Sequence, residues 1–460
     1  MNPVFSNFLL GMASLDVAMV GCLSPAQVAS RQQVRLSMLL NFLAQGSTLY
    51  ARHLCNQPGS SLQLHKLPVF NKVELMERFD EWVVDPQITL SGLQDFVADP
   101  DRIAQPYLGK YVVWESSGSS GQPAIFVQDA YAMAIYDALE SLRHIPRAPA
   151  LFAADMPDSY QRVAFVGVTG GHFASIVQMR RMQTLYPWAT QASCNISVLQ
   201  PMASLVRELN AFQPTIVATY PSVAIALADQ QERASLHIAP CAFWTGGETL
   251  SAAARARVTE VMHCAVRDHY GASEFLSIAS ECSHGHLHAN TDWIILEPVD
   301  ENFHPVPPGQ ASATTLLTHL GNRIQPLVRY DMGDQITVLA GRCACGSALP
   351  VIQVSGRSDA PVTLCGSNGE PVVLLPLALT TVLEEQAGIY EFQLHQIDHH
   401  TLNLQIPQTG GHADIALQRG CRVLKDFVAL QGAGSVHITS QTGVPMQRGK
   451  SGKTQRVMAA

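Results

Sequence analysis

The chain has 460 residues and a mass of 49.9 kDa, about three times the ~150 residues of a usual domain, so one large core with at least one smaller domain is expected. Hydrophobic residues at 47% against 14% charged exclude extended disorder. A net charge of -8, a pI near 6.1 and the lack of any Lys/Arg cluster argue against a nucleic-acid partner. In chain order, Met1 to Cys22 is apolar but lacks a basic start and carries Asp16, which does not read as a signal peptide. Ser24-Pro25 opens a helical pattern that runs to Ala51. From Leu151 the pattern alternates, with strand-like Arg162 to Val168, Thr215 to Thr219 and Ala265 to Tyr270 separated by helical Pro201 to Phe212 and Leu250 to Cys264. That alternation predicts an α/β layer architecture. Trp293 to Val354 reads as mostly β, and a domain boundary is expected at Gly356 to Asp359, giving domains 1-356 and 357-460, the second of mixed strand and helix. The apolar stretch Ala211 to Ala228 contains Pro214 and Pro221 and falls short of a membrane span, so a cytoplasmic location is expected. Ten cysteines spread from Cys22 to Cys421 suggest reduced thiols with room for a metal site.

The strongest local signal is Glu115 to Pro123, in which Ser116, Ser117, Gly118, Ser119, Ser120 and Gly121 lie between the strand-like Tyr111 to Trp114 and Ala124 to Gln128. Two glycines turn the backbone tightly and four hydroxyls add donors, a means of cradling a polyphosphate. A Ser/Gly hairpin tip has the same composition. The Gly-Lys-Ser/Thr ending of a phosphate-loop NTPase is absent.

This loop resembles the phosphate loop of the adenylate-forming enzymes, in particular the phenylacetate–CoA ligase-like branch. Other segments resemble that family's motifs in the same order: Leu67-Pro68-Val69 with Lys72, Phe212 to Pro214 with Tyr220 to Ser222, Gly246-Gly247-Glu248, Asp268 to Glu274, Arg329 to Asp334, Gly356 to Asp359, and Arg448 to Val457. The resemblance implies a large multi-layer N-terminal adenylation domain, a small mobile α+β C-terminal domain, and use of ATP and Mg²⁺. Glu274 would hold Mg²⁺, a hard cation suited to carboxylate oxygen. Asp334 would accept from the ribose hydroxyls. Gly246, Gly247 and Glu248 would wall the adenine, with Asp268 and Tyr270 on the other flank and Arg357 beside the nucleotide. Lys453, preferred over Lys450, would bring a cation to the α-phosphate, and Asp359 would be the hinge. Gly170, Gly171 and Phe173, around His172, would line an acid pocket with Tyr220, Ser222 and Trp244. Two departures stand out: Asp331 and Met332 occupy positions where many relatives carry Arg and Thr, and no clear Arg-Gly follows the hinge in Ala360 to Glu370.

Cys282, His284, His286 and His288 are spaced by two, so on a strand they would share one face, and Cys343-Ala344-Cys345 follows. Cys282, His288, Cys343 and Cys345 would make a structural zinc site, which the resemblance supports. Buried thiols with surface histidines are the alternative. The expected activity is activation of a carboxylic acid, an aromatic one by preference, to an acyl-adenylate, then transfer to a thiol. CoA is the family's acceptor. A phosphopantetheine arm on an acyl carrier protein, or a homologue that binds nucleotide without turnover, are the alternatives.

Overall fold

A computed structural model describes residues 3–54, 63–116, 123–144, 162–355, 361–446 and 456–459. Contacts divide the chain into two compact units. One holds residues 1–116, 124–157 and 268–355; the other holds 117–123, 158–267 and 356–460.

The first unit begins with helices α1 (Pro3–Met19), α2 (Pro25–Gly46) and α3 (Thr48–Leu54). Ser24 opens α2 with a capping box, its side chain accepting from the Gln27 amide while Gln27 reaches back to the Ser24 amide. The single long helical pattern read from Ser24 to Ala51 is two helices, because Ser47 turns extended and ends α2. The short helices α4 (Lys72–Glu77), α5 (Phe79–Trp82) and α6 (Leu90–Val97) follow. Strands β1 (Val112–Glu115) and β2 (Ile125–Gln128) form an antiparallel hairpin, then α7 (Ala130–Leu139) packs along α1.

The second unit opens on β3 (Val163–Gly167), α8 (Ala174–Leu185), α9 (Pro187–Ala192), β4 (Ser193–Ser197), α10 (Met202–Phe212), β5 (Ile216–Thr219), α11 (Pro221–Glu232), β6 (Ala242–Gly246) and α12 (Ala252–Met262). Its strands are parallel in the order β6-β5-β3-β4, each followed by a helix, which is the alternation the sequence predicts. Gln213 ends α10 in the left-handed conformation, and Pro214 stops the helix from continuing.

Strand β7 (Ala265–Ala272) leads from this unit back into the first, where β8 (Phe275–Glu281), β9 (Leu287–Ala289), β10 (Ile294–Val299), β11 (Thr314–His319), β12 (Tyr330–Asp331), β13 (Gln335–Val338) and β14 (Val351–Ser355) follow. Their sheets run β13-β14-β9-β8-β7 and β10-β11-β12, all antiparallel.

The chain then returns to the second unit with β15 (Val362–Cys365), β16 (Pro371–Leu374), α13 (Pro376–Thr381), β17 (Gln393–Asp398), β18 (Thr401–Ile406), α14 (Gly411–Leu430), β19 (His437–Thr442) and β20 (Val457–Met458). This is the mixed strand-and-helix content expected after the boundary. One apolar core joins Val198 and Leu205 to Leu374 and Phe427, and the Gln431 amide donates to the Leu199 carbonyl at 2.7 Å. A buried Glu384–Arg456 ion pair at 2.5 Å, with Arg456 also donating to the Tyr390 carbonyl, anchors the tail strand β20 beside β17. Among the described residues no helix is long and apolar enough to cross a membrane.

Candidate functional site

The β7–β8 hairpin explains the Asp268 to Glu274 motif residue by residue. Ser273 and Glu274 form its tight turn, with Ala272 paired to Phe275 and a register shift at Gly271. A Cβ on Gly271 would lie 2.0 Å from the Leu276 carbonyl oxygen, so only glycine lets the backbone cross there. Tyr270 then donates to Asp334 at 2.7 Å, and Tyr330 donates to Glu274 at 2.9 Å. Tyr270, Glu274, Tyr330 and Asp334 thus form one cluster in the first unit. Glu274 is half-buried, and the protein around it raises its carboxyl above the ordinary carboxylate range, chiefly by desolvation, with the nearby Asp334 charge adding to the rise. Hydrogen bonds from its own amide and from Tyr330, and the Lys72 ammonium, act in the opposite direction.

The turn before Asp334 is closed by Asp331, one of the two departures noted in the sequence. Asp331 accepts from Thr314 and from the Gly333 amide, closing a turn in which Gly333 has φ +64. Lys72 opens α4 after the Asn71 cap, and Phe70 bridges Tyr330 backbone to backbone, which brings that lysine to the same cluster. Tyr330 was not singled out from sequence as a site residue, and Lys72 was noted without a role; the Phe70–Tyr330 bridge that gathers them spans more than 250 residues.

Behind the hairpin lies a buried hydrogen-bond chain. Gly321 donates its amide to Nδ1 of His319 at 3.1 Å, which leaves the proton on Nε2, and that nitrogen meets the Tyr136 hydroxyl at 2.9 Å. Tyr136 also bonds the Leu276 backbone, whose carbonyl His269 reaches at 2.9 Å. Burial pulls the His319 imidazole down to about 3, so it is neutral. Phe275, next to Glu274, is edge-on to both Tyr136 and His319, with ring centroids 5.0 and 4.6 Å away.

A second cluster lies within the other unit. Both carboxylate oxygens of Glu248 accept from Ser222, one from its amide and one from its hydroxyl, each at 2.9 Å. Glu248 thereby caps the start of α11 from a distance. Gly247 has φ +77, and a Cβ there would lie 2.9 Å from the Tyr220 ring. Tyr220 bonds Ser175 and the Val168 backbone, and burial pushes its hydroxyl up to about 12. The Gly246 to Glu248 turn and the predicted pocket residues Tyr220 and Ser222 therefore meet. Gly170 and Gly171 lie in the loop between β3 and α8, Phe173 caps α8, His172 is buried, and Trp244 sits on β6 beside Ala218 of β5. Asp268, on β7 in the first unit, receives its contact from Glu281, which accepts the Asp268 amide at 2.8 Å.

Of the phosphate loop, Ser116 is described: its amide donates to the Ala124 carbonyl at 2.8 Å and its hydroxyl accepts from the Ala124 amide at 2.9 Å, closing the β1–β2 hairpin at the base of the loop. Ser117, Gly118, Ser119, Ser120, Gly121, Arg357, Asp359, Lys450 and Lys453 lie outside the described residues.

The Cys/His segment is not one strand. Cys282 to His286 is the turn of the β8–β9 hairpin, closed by the Cys282 amide on the His286 carbonyl at 2.9 Å and by Gly285 at φ +75. Even so, ligand atoms of Cys282, His288, Cys343 and Cys345 gather within 4.8 Å of one another, while His284 and His286 stay outside the group. Cys282 and Cys343 are 3.8 Å apart, sulfur to sulfur, and Cys345 lies 3.3 Å from Nε2 of His288. His288 donates from Nδ1 to the Leu349 carbonyl at 2.8 Å, which turns the Nε2 lone pair toward the thiols. The amides of His284 and Ser347 point at the sulfurs of Cys282 and Cys345.

No family model matches the chain, and no curated protein matches its sequence. Among solved structures, 2-hydroxyisobutyryl-CoA ligase in complex with 2-HIB-AMP and CoA in the thioesterification state aligns with 94% of this chain and 90% of its own, with a TM-score of 0.55 and 20% identity. The same ligase in the postadenylation state with 2-HIB-AMP gives 0.53 and 20% identity over 93% and 89%. Its open conformation with 2-HIB-AMP and CoA gives 0.51 and 20% identity over 93% and 90%. The chain has the fold of these adenylate-forming ligases, a large α/β part followed by a smaller C-terminal part.

Proposed function

We propose that this chain, built on the fold of an acid–CoA ligase, joins a carboxylic acid to the AMP moiety of ATP with release of pyrophosphate, then passes the acyl group to the thiol of CoA with release of AMP. The observation that carries the reading is the cluster of Glu274 and Asp334 with Tyr270 and Tyr330, set on a hairpin that only Gly271 permits. The donor set fits Mg²⁺: the half-buried Glu274 carboxylate offers hard oxygen, one atom of it held by the Tyr330 hydroxyl at 2.9 Å. When bound, that ion would neutralise phosphate charge during departure of pyrophosphate. The protein's own part is to place the reactants. Tyr330 fixes one oxygen of Glu274, Tyr270 orients Asp334 for the ribose hydroxyls, and Lys72 adds positive charge, while the Gly246 to Glu248 turn of the other unit is assigned to the base on resemblance alone. Lys453 is assigned to the α-phosphate and Asp359 to the hinge, on resemblance. The acid pocket is assigned on resemblance to Gly170, Gly171, Phe173, Tyr220, Ser222 and Trp244, whose three aromatic rings would suit an aromatic acid, and a cytoplasmic setting agrees with the reduced cysteines.

The second metal assignment rests on geometry. A tetrahedral zinc with ~2.3 Å bonds to sulfur requires sulfur–sulfur edges of about 3.8 Å, the separation of Cys282 and Cys343. Three sulfurs and one oriented imidazole fill all four positions, so the role is structural. The functional reading is tested by incubating the chain with ATP, Mg²⁺, CoA and a panel of aromatic and short aliphatic acids. Acid-dependent formation of AMP and an acyl-CoA supports it, whereas ATP hydrolysis that no acid stimulates contradicts it.

A further inference from the structure

Helix α1 is apolar on two opposite faces. On one, Ala13 and Val17 are buried and the helix packs along α7. On the other, the exposed positions from Asn7 to Met19 are Asn7, Phe8, Gly11, Met12, Leu15, Ala18 and Met19, with Asn7 at the end the one polar side chain among them. Steps of three and four place them on one stripe, the spacing of a helix–helix seam. The exposures of Phe8, Met12, Leu15 and Met19 are 63%, 57%, 62% and 48%. A helix apolar all round belongs to an interior, and this one has half of an interior.

Asp16 of α1 bonds Arg31 at 2.6 Å and also Arg35, which tie α2 to α1, and the exposed positions of α2 next to these arginines are Gln33, Val34, Ser37 and Met38. Gly11 adds an independent sign. A glycine inside a helix weakens it, and a Cβ at Gly11 would meet nothing within 4 Å in its own chain, so packing within the chain does not call for its small size. Close approach of a second helix does call for it.

We propose that this face joins two copies of the chain about a two-fold axis, α1 against α1. Six large side chains about half exposed offer ~600 Å² per copy, the upper end of what a typical monomer leaves uncovered, and pairing two such patches buries ~1,200 Å², the lower bound for a specific interface. Helix α1 has no acidic residue in its first turn and no basic residue in its last, and Asp16 is the one ionisable side chain along it. It therefore has no cation for an anionic lipid surface and no charge row for an ionic peptide. A self-complementary apolar stripe matches best with itself.

The test is the solution mass of the full chain by light scattering and sedimentation at about 10 μM, above the micromolar range where weak pairs dissociate. The expected result is twice 49.9 kDa for the wild type and the monomer mass for Met12→Glu with Leu15→Glu, with circular dichroism unchanged. Should that double variant misfold, Met38→Glu on α2 must lower the dimer fraction instead. Ile415→Glu, at an equally exposed apolar position on α14, must leave the dimer intact. A monomeric wild type overturns the proposal, as does a dimer that survives both sets of substitutions. A monomer that pellets with phosphatidylcholine vesicles also overturns it and assigns the face to a membrane surface.

Discussion

Strand β8 carries Glu274 just before its first residue and Cys282 just after its last, so the two candidate metal sites of the first unit hang from the two ends of one strand, and they are built on opposite plans. The thiol site is read as closed: three thiols and one imidazole face one another, with backbone amides on Cys282 and Cys345 and the Leu349 carbonyl on His288. The carboxylate site is read as open: Tyr270 and Tyr330 steady its two acids through their hydroxyls, and burial raises the Glu274 carboxyl. A closed set holds an ion through the life of the fold, while an open set binds one that arrives with its phosphates. Stability should therefore depend on the first site and turnover on the second.

The largest expected effect belongs to the open site, which relies on charge supplied from elsewhere. Lys453→Ala should lower adenylate formation ~10²–10³-fold, the usual loss when one preorganised charge is removed, and leave transfer from supplied acyl-adenylate to CoA within about threefold. Half-reaction rates measured separately decide this, and equal losses in both would detach Lys453 from the open site.

Next comes the closed site. Cys343→Ser should abolish bound zinc, read by elemental analysis, and lower the melting temperature by ~10 °C, as expected for about 3 kcal/mol in a domain of this size. Adenylation below the transition should change less than threefold. A zinc-free wild type that is folded and active would return these residues to ordinary packed thiols.

A smaller effect separates the sites by pH. With the Glu274 carboxyl raised by burial, the folded chain keeps a proton that the unfolded chain has released, so stability falls as pH rises above the ordinary carboxylate range. Glu274→Gln removes that term and should melt higher than the wild type at pH 8 in the absence of nucleotide, with the gap closing toward pH 4. Thermal scans across pH check this, and a Gln variant less stable at every pH would mean that the site is closed after all.

The smallest is Tyr136→Phe. It leaves the Nε2 proton of neutral His319 without its acceptor, costing about 1–3 kcal/mol of stability. Because the pair backs Phe275 beside Glu274, the Mg²⁺ concentration for half-maximal adenylation should rise several-fold while binding of the acid is unchanged. A change in stability alone would confine Tyr136 to packing.

What the sequence revealed divides along the same line. The parallel α/β alternation, the Ser24 cap and the β1–β2 hairpin were legible because their signals lie within a few residues of one another. The motifs around Glu274 and Asp334 were noticed in the sequence, and the structure gives their local geometry, the 2.0 Å approach at Gly271 and the turn at Gly333, while the roles of the two carboxylates stay proposals. Tyr330 and Lys72 were not seen as partners of Glu274, since their meeting depends on the Phe70–Tyr330 bridge between distant segments. Cys282, His288, Cys343 and Cys345 do gather, as the proposed zinc site requires, but not on one strand, because a period of two suits a hairpin turn as readily as a strand. Tyr220 and Ser222, proposed for an acid pocket, were read apart from Glu248, although two hydrogen bonds tie Ser222 to Glu248.

The central claim is that Glu274 serves adenylation. The most direct measurement is acid-dependent exchange of labelled pyrophosphate into ATP by the wild type and by Glu274→Gln, each at saturating Mg²⁺ and with its fold verified by melting. The account predicts robust exchange for the wild type with at least one carboxylic acid and a loss of ~10²-fold or more for the variant. Exchange by the variant within a few-fold of the wild type would contradict it.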